Sequence, residues 1–316
     1  MVCARVSRPM RAAPVRLVVV GATASGKTDL ALRLAGELDQ AEVLCVDSMT
    51  VYRGMNIGTA KATTAEQAAF VHHGINLVDP DTDYSVAEFQ RHANGVLASI
   101  DATSATAVLV GGTGLYVDSV VNGFTMPGQF PEARAEVDRQ LIAEGIAGLY
   151  ARLVALDPKA AMRMQPNNDR RIVRALEVCL GSGRPFSSFG PGLQETRSTA
   201  AAFVMVAIAW PRAGLRQRIE TRFARQLADG FLGEAEAIRS AFGNRLSRTA
   251  RQALGYRELW SHLDGEASLD ESIELAITRT RQFAVRQERW FKRDPRIRWL
   301  TPDEASTITA EELGLR

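Results

Sequence analysis

Hydrophobic and polar positions change rhythm along this chain. In the first third, short aliphatic runs alternate with stretches of helical period, the pattern of a parallel sheet whose strands are covered on both faces. The runs Leu17–Val20, Glu42–Val46, Asn76–Val78 and Ala107–Val110 read as strands. Helices are expected to start near Gly26, Thr63 and Ser85, with another after Gly114. Past Phe124-Thr125-Met126-Pro127-Gly128 the strand signal stops, and Glu132–Glu144, Ile146–Leu156, Lys159–Arg163 and Asp169–Leu180 read as helices. Phe203–Trp210 restores an apolar strand after the loop-rich stretch Gly181–Arg197. Long helices over Arg212–Asp229 and Ser272–Arg293 follow, then a short edge strand at Arg296–Leu300.

The pattern predicts an α/β protein: a parallel-sheet core formed by residues 16–123 and 198–316, interrupted by a helical insertion at 124–197. Residues 1–15 carry Arg5, Arg8 and Arg11 with no acid and no clear period, and are expected to be a disordered leader. The 316 residues, 46% hydrophobic and 23% charged, suffice for a full core. No apolar run is long enough to cross a bilayer, so a membrane role is not expected. Cys3, Cys45 and Cys179 are too far apart for a C-x-x-C pair, which fits a reducing cytoplasm. Net charge is only +2, so its placement matters more than its sum.

One octapeptide carries the first chemistry. Gly21-Ala22-Thr23-Ala24-Ser25-Gly26-Lys27-Thr28 matches G-x-x-x-x-G-K-[ST] at every fixed position and directly follows the strand Leu17–Val20. Such a turn aims backbone N–H groups and a helix N-terminus at one point, where polyphosphate binds. The rest of a nucleotide hydrolase is missing, since Ala107–Val110 runs into Gly111-Gly112-Thr113-Gly114 and meets no acid before Asp118. Asp47, after Val43–Val46, is the nearest carboxylate that can face the phosphate as metal bridge or base. By itself, an Asp before Ser48 also reads as a turn opener.

Further along, Asp47–Lys61 (DSMTVYRGMNIGTAK), His72–Pro80 (HHGINLVDP), Tyr84–Phe89 (YSVAEF) and Val110–Tyr116 (VGGTGLY) appear in order. Arg170–Glu177, Ala253–Glu258 and Thr278–Phe283 complete the series. With the phosphate loop, these motifs resemble those of the tRNA dimethylallyltransferases from about Leu17 to Trp299. The resemblance implies a P-loop NTPase-like core and transfer of a dimethylallyl group from dimethylallyl diphosphate to the N6 amine of the adenosine on the 3′ side of a tRNA anticodon. It also implies Mg2+ held with the help of Thr28. A monomer is expected.

The residue roles that the resemblance implies are these. Gly21, Ala22, Thr23, Ala24, Ser25, Gly26, Lys27 and Thr28 hold the diphosphate; Asp47 is the base; Thr23, Lys27 and Arg222 complete the catalytic group. The anticodon arm is contacted by Asp47, Ser48, Met49, Thr50 and Thr113 in the core, and by Arg134, Arg170, Arg171, Ile172, Val173 and Arg174 in the insertion. Gly255, Tyr256, Arg257, Arg286, Gln287, Arg289 and Trp290 are further contacts.

Two segments support RNA binding by composition. Between Arg279 and Arg298, eight Arg or Lys residues face only Glu288 and Asp294, and Arg279, Gln282, Arg286, Arg289 and Arg293 share one helix face. Phe283, Trp290 and Phe291 near that stripe can stack bases or pack the helix. Asp169 is expected to cap a helix with Arg170, Arg171 and Arg174 outward and Ile172, Leu176 and Cys179 inward. The chain departs from the family pattern at Ala22 (usually Pro), Thr50 (often Gln), Asn56 and Asn76 (Asp) and Val285 (often Lys). His72 and His73 have no third ligand spaced near them, which favours structural or substrate-positioning roles.

Overall fold

A computed structural model describes residues 14–189 and 202–315. Six strands form one parallel sheet: β1 (Val15–Val20), β2 (Ala41–Cys45), β3 (His72–His73), β4 (Thr106–Gly111), β5 (Ala202–Ile208) and β6 (Ile297–Leu300), in the order β3-β2-β4-β1-β5-β6. The helices of this unit are α1 (Lys27–Ala35), α2 (Thr64–Ala69), α3 (Val86–Thr103) and α4 (Gly114–Val121), then, after the insertion, α8 (Arg212–Ala228), α9 (Phe231–Phe242), α10 (Tyr256–Leu263), α11 (Leu269–Phe291) and α12 (Pro302–Thr307). Between the two sets lie α5 (Pro131–Leu156), α6 (Pro158–Met162) and α7 (Asp169–Ser182).

Alternate residues of the central strands feed opposite cores. Leu17, Val19, Val43, Val108, Val110 and Val206 pack with Leu30 and Leu34 of α1 and with the C-terminal Ile308 and Leu313. Val18, Val20, Leu44, Leu109 and Met205 pack with Phe89 and Leu97 of α3, Val117 of α4 and Trp260 of α10. Each large aliphatic side chain buried this way contributes about 1.5–3 kcal/mol. Helix starts are fixed locally: Thr63, Ser85, Ser268 and Thr301 form capping boxes with Glu66, Glu88, Glu271 and Glu304.

The strand expected at Asn76–Val78 is not formed. Gly74 and Asn76 have positive φ (77° and 53°), which breaks extension, so β3 is His72–His73 and Val78 makes only a single bridge to Tyr52. β1 starts at Val15, inside the stretch expected to be a leader; residues 1–13 lie outside the described residues.

Asn122–Ser198 is a separate compact unit, although 190–198 are outside the described residues. Its core joins Val137, Leu149 and Leu153 of α5 to Ile172, Val173 and Leu176 of α7. Gly145 (φ 70°, ψ −179°) breaks α5 between the two helices that the sequence predicts. Asn168, not Asp169, caps α7, accepting the Arg171 N–H; Asp169 stands in the first turn.

Candidate active site

Three adjacent strands, β2, β4 and β1, deliver their C-terminal loops to one edge of the sheet, where ligands bind in open α/β folds. After β1 comes Gly21–Thr28, with Gly21 (φ 141°), Ala24 (φ 63°) and Gly26 (φ 88°) all at positive φ. No side chain caps α1 at Gly26, so the first-turn N–H groups stay available to an anion. The loop is braced from behind: Trp210 Nε1 donates to the Ser25 carbonyl (2.8 Å) and Arg218 Nε to that of Ala24 (2.7 Å). Arg218 also stacks on the Trp210 ring. Ser25 is 1% exposed and its hydroxyl has no hydrogen-bond partner within the protein, the signature of a buried group waiting for a ligand atom.

Positive charge converges here. Burial pushes the Lys27 ammonium down to about 8, against the pull of Asp47, while Arg222 lowers it further. Arg222 lies below its ordinary value through burial, opposed by Asp47 and reinforced by Arg218. Its guanidinium donates to Thr23 Oγ1 at 2.6 Å. α8, expected as a helix, thus places Arg218 and Arg222 one turn apart against the loop.

The loops after β2 and β4 form the neighbouring part of the site. Asp47 Oδ1 accepts the Met49 N–H (2.8 Å) in a turn, and Thr113 Oγ1 accepts the Ser48 N–H (3.1 Å), tying the two loops together. Gly111 must be glycine, because a Cβ there would sit 2.0 Å from the Val46 carbonyl oxygen. Thr50 is 7% exposed, and its hydroxyl lies 3.5 Å from the Asp47 carbonyl within the same turn.

The long segment from Asp47 to Lys61 is held by residues that sequence reading missed. Glu234 of α9 accepts the backbone N–H groups of Asn56, Ile57 and Gly58 and the Tyr256 hydroxyl. Gln226 donates to the carbonyls of Ile57 and Gly58. Lys61, 8% exposed, donates to Tyr52 O, Asn56 Oδ1 and Asn76 Oδ1, and burial lowers it to about 8 despite Glu234 and Cys45. The two asparagines that depart from the family pattern thus make a neutral cage for one ammonium. Nothing local in sequence announces Glu234, whose backbone partners lie 176 to 178 residues away.

Of the expected RNA contacts, Arg286 and Arg289 are exposed on α11 and Arg293 is exposed just past its end, and Trp290 is half-buried under Arg293, donating to Asp118 at 3.0 Å. Burial raises Asp118 to about 6, although the Trp290 bond and Arg293 pull it down. Gln287 is 5% exposed and points into the protein. Arg279 is tied to Glu258, as is Arg257; Gly255 and Tyr256 are buried, so only Arg257 of that trio presents a side chain to solvent. Phe291 is core.

In the insertion unit Arg170 and Arg171 are exposed, whereas Ile172 and Val173 are 0% and 2% exposed and pack in the unit's core. Arg174 binds Glu177 and the carbonyls of Pro127 and Gly128, and Arg134 binds Asp138, so both are engaged within the unit. His73 pairs with Glu42 at 2.6 Å and His72 Nδ1 with the Phe70 carbonyl. Among the described residues no cluster of three His, Cys, Asp or Glu could hold a metal, and no helix is long and apolar enough to cross a membrane.

A parallel α/β sheet with a phosphate loop, two arginines behind it and a carboxylate one loop away defines a protein built to bind a polyphosphate and act beside it. Comparison with known proteins narrows this class. The sequence family described as IPP transferase matches residues 50–294. The tRNA dimethylallyltransferase of Streptomyces avermitilis is 42% identical over 303 residues, 96% of this chain and 95% of that one. The crystal structure of the tRNA isopentenylpyrophosphate transferase from Bacillus halodurans superposes with TM-score 0.65 at 35% identity, covering 91% of this chain and 89% of that one. A eukaryotic dimethylallyltransferase captured acting on tRNA gives TM-score 0.77 at 26% identity, with coverage of 93% and 75%. The chain belongs to the tRNA dimethylallyltransferase family, a family of prenyl-transferring enzymes.

Proposed function

We propose that this protein moves a dimethylallyl group from dimethylallyl diphosphate to the N6 amine of the adenosine on the 3′ side of the anticodon in tRNA, giving N6-isopentenyladenosine. The observation that carries the reading is the convergence, on neighbouring strand ends, of an anion cradle (Gly21–Thr28) and an acceptor-side pair (Asp47 and Thr113).

The allylic C–O bond breaks as the N6–C bond forms, and diphosphate leaves with the electron pair. Negative charge therefore grows on the diphosphate in the transition state. Lys27, Arg222 and the loop amides meet it there, stabilising the transition state more than the ground state. An adenine amine is a weak nucleophile because its lone pair is delocalised, and Asp47 accepts its proton as the bond forms. The proton passes from N6 to the carboxylate.

The orphaned Ser25 hydroxyl inside the cradle supports a fit for a hydrated Mg2+–diphosphate, since Mg2+ keeps most of its waters and needs few protein oxygens. Thr28 would help hold it, and it would supply charge neutralisation of the departing diphosphate. Arg286 and Arg289 on α11, Arg293 just past its end, and Arg170 and Arg171 on α7 are exposed cations that would meet tRNA phosphates.

The test is incubation with labelled dimethylallyl diphosphate and unmodified tRNA, followed by nucleoside analysis. The protein should yield N6-isopentenyladenosine. Asp47→Asn should reduce the chemical step at least about a hundredfold with tRNA affinity kept within a factor of a few. Undiminished turnover in that variant removes Asp47 from the role of base.

A further inference from the structure

We infer that Gln287 of α11 is a positioning residue that sets the spacing between the diphosphate loop and the acceptor-side turn. This rests on the proposed function. The side-chain amide is 5% exposed and spans two distant segments: Oε1 accepts the Thr23 N–H at 2.8 Å and Nε2 donates to the Gly112 carbonyl at 2.8 Å. A Cβ on Gly112 would lie 2.3 Å from Nε2, so glycine at that position is what lets the amide come so close.

Polarity makes the bridge directional. The donor end faces a carbonyl and the acceptor end an N–H, so the glutamine fits one way only, and an apolar replacement leaves both backbone groups without a partner.

The bridge also joins the two halves of the reaction. Thr23 takes Arg222 on its hydroxyl and Gln287 on its amide. Gly112 is followed by Thr113, which holds Ser48, the neighbour of Asp47. The path therefore runs from the cation that meets the leaving group, through one buried amide, to the carboxylate that meets the nucleophile. Displacement needs donor carbon and acceptor nitrogen at near-contact distance, and a misplacement of about 1 Å can cost on the order of a hundredfold in rate. The role expected for Gln287, direct contact with tRNA, gives way to one acting through its neighbours.

Two variants of the full-length protein test this. Gln287→Met keeps the shape and removes both bonds; its kcat per folded molecule should fall at least about tenfold, while KM for each substrate stays within about twofold. A loss of melting temperature with unchanged kcat per folded molecule would reduce Gln287 to a structural role and overturn the inference.

Gln287→Glu should be inactive when ionised, because a carboxylate oxygen then opposes the Gly112 carbonyl. When protonated it restores both bonds. The ratio of its kcat to that of the unaltered protein should therefore rise as pH falls from about 8 to about 6, as a buried carboxyl with a raised pKa takes up its proton. A flat ratio overturns the inference. No transfer by the unaltered protein overturns the proposed function and this inference together, whereas transfer by it with an equally fast Gln287→Met overturns the inference alone.

Discussion

Affinity for the prenyl donor should fall with rising pH, and Lys27 sets where. In the free protein its ammonium titrates at about 8, because burial disfavours the charged form more than Asp47 restores it. A diphosphate bound in the cradle favours the charged form, so binding takes up a proton wherever Lys27 is neutral beforehand. With the diphosphate ester ionised above about pH 6, the apparent dissociation constant scales as one plus the ratio of neutral to charged Lys27. From pH 7 to pH 9 that factor grows from about 1.1 to about 11, a tenfold weakening or about 1.4 kcal/mol.

Calorimetry with an unreactive thiolo analogue of dimethylallyl diphosphate, in two buffers of different ionisation enthalpy, reads both the affinity and the proton. Proton uptake should climb from about 0.1 per molecule bound at pH 7 to about 0.9 at pH 9. Lys27→Met should bind weakly and show no slope over this range. Constant affinity with no proton uptake in the unaltered protein would mean that Lys27 does not meet the diphosphate.

Three other outcomes follow from separate parts of the fold. Arg289→Ala combined with Arg293→Ala should weaken tRNA binding and reduce the slope of log K against log salt by about 1 to 2, read by filter binding between low and moderate salt; an unchanged slope places this face of α11 away from the phosphates. Asn76→Asp gives caged Lys61 a charged partner at the 2.7 Å position and should stabilise the protein by about 1 kcal/mol in urea at pH 7. That gain should vanish in acid as the new carboxylate protonates, and shrink above about 8 as Lys61 loses its proton. Gly58→Ala would set a Cβ 2.2 Å from Phe231 and 2.4 Å from Tyr256, inside packed rings, and should cost more than about 3 kcal/mol; a melting temperature within a few degrees of the unaltered protein refutes that packing.

Local chemistry made much of this molecule legible. β1, β2, β4 and β5 are aliphatic runs buried on both faces, so the strands announce themselves whatever their neighbours do. The phosphate loop is readable because its geometry depends on glycine at fixed spacing. Gly145 carries the break in α5 in one residue. The failure at Asn76–Val78 has a local cause as well: Asn76 tolerates the left-handed region, and an apolar triplet next to such a residue need not extend.

What stayed hidden was the set of side chains that act across the chain. Trp210, Arg218 and Gln287 brace the phosphate loop from 185 to 264 residues away, and Glu234 collects three backbone amides from a loop 176 to 178 residues before it. Each is an ordinary residue on a helix or at a strand end, and its neighbours in sequence say nothing of its partners. Helical period did mark Ile172 as inward and Arg170, Arg171 and Arg174 as outward. It could not show that Arg174 spends its guanidinium on Glu177 and two carbonyls, because that depends on where residues 127 and 128 turn. A cationic helix face thus overstates the charge available to RNA until intramolecular partners are subtracted. On α11 the subtraction removes Arg279, paired with Glu258, and Arg281, paired with Glu220, and leaves Arg286 and Arg289 exposed, with Arg293 just past the helix end, where the salt-slope measurement would find them.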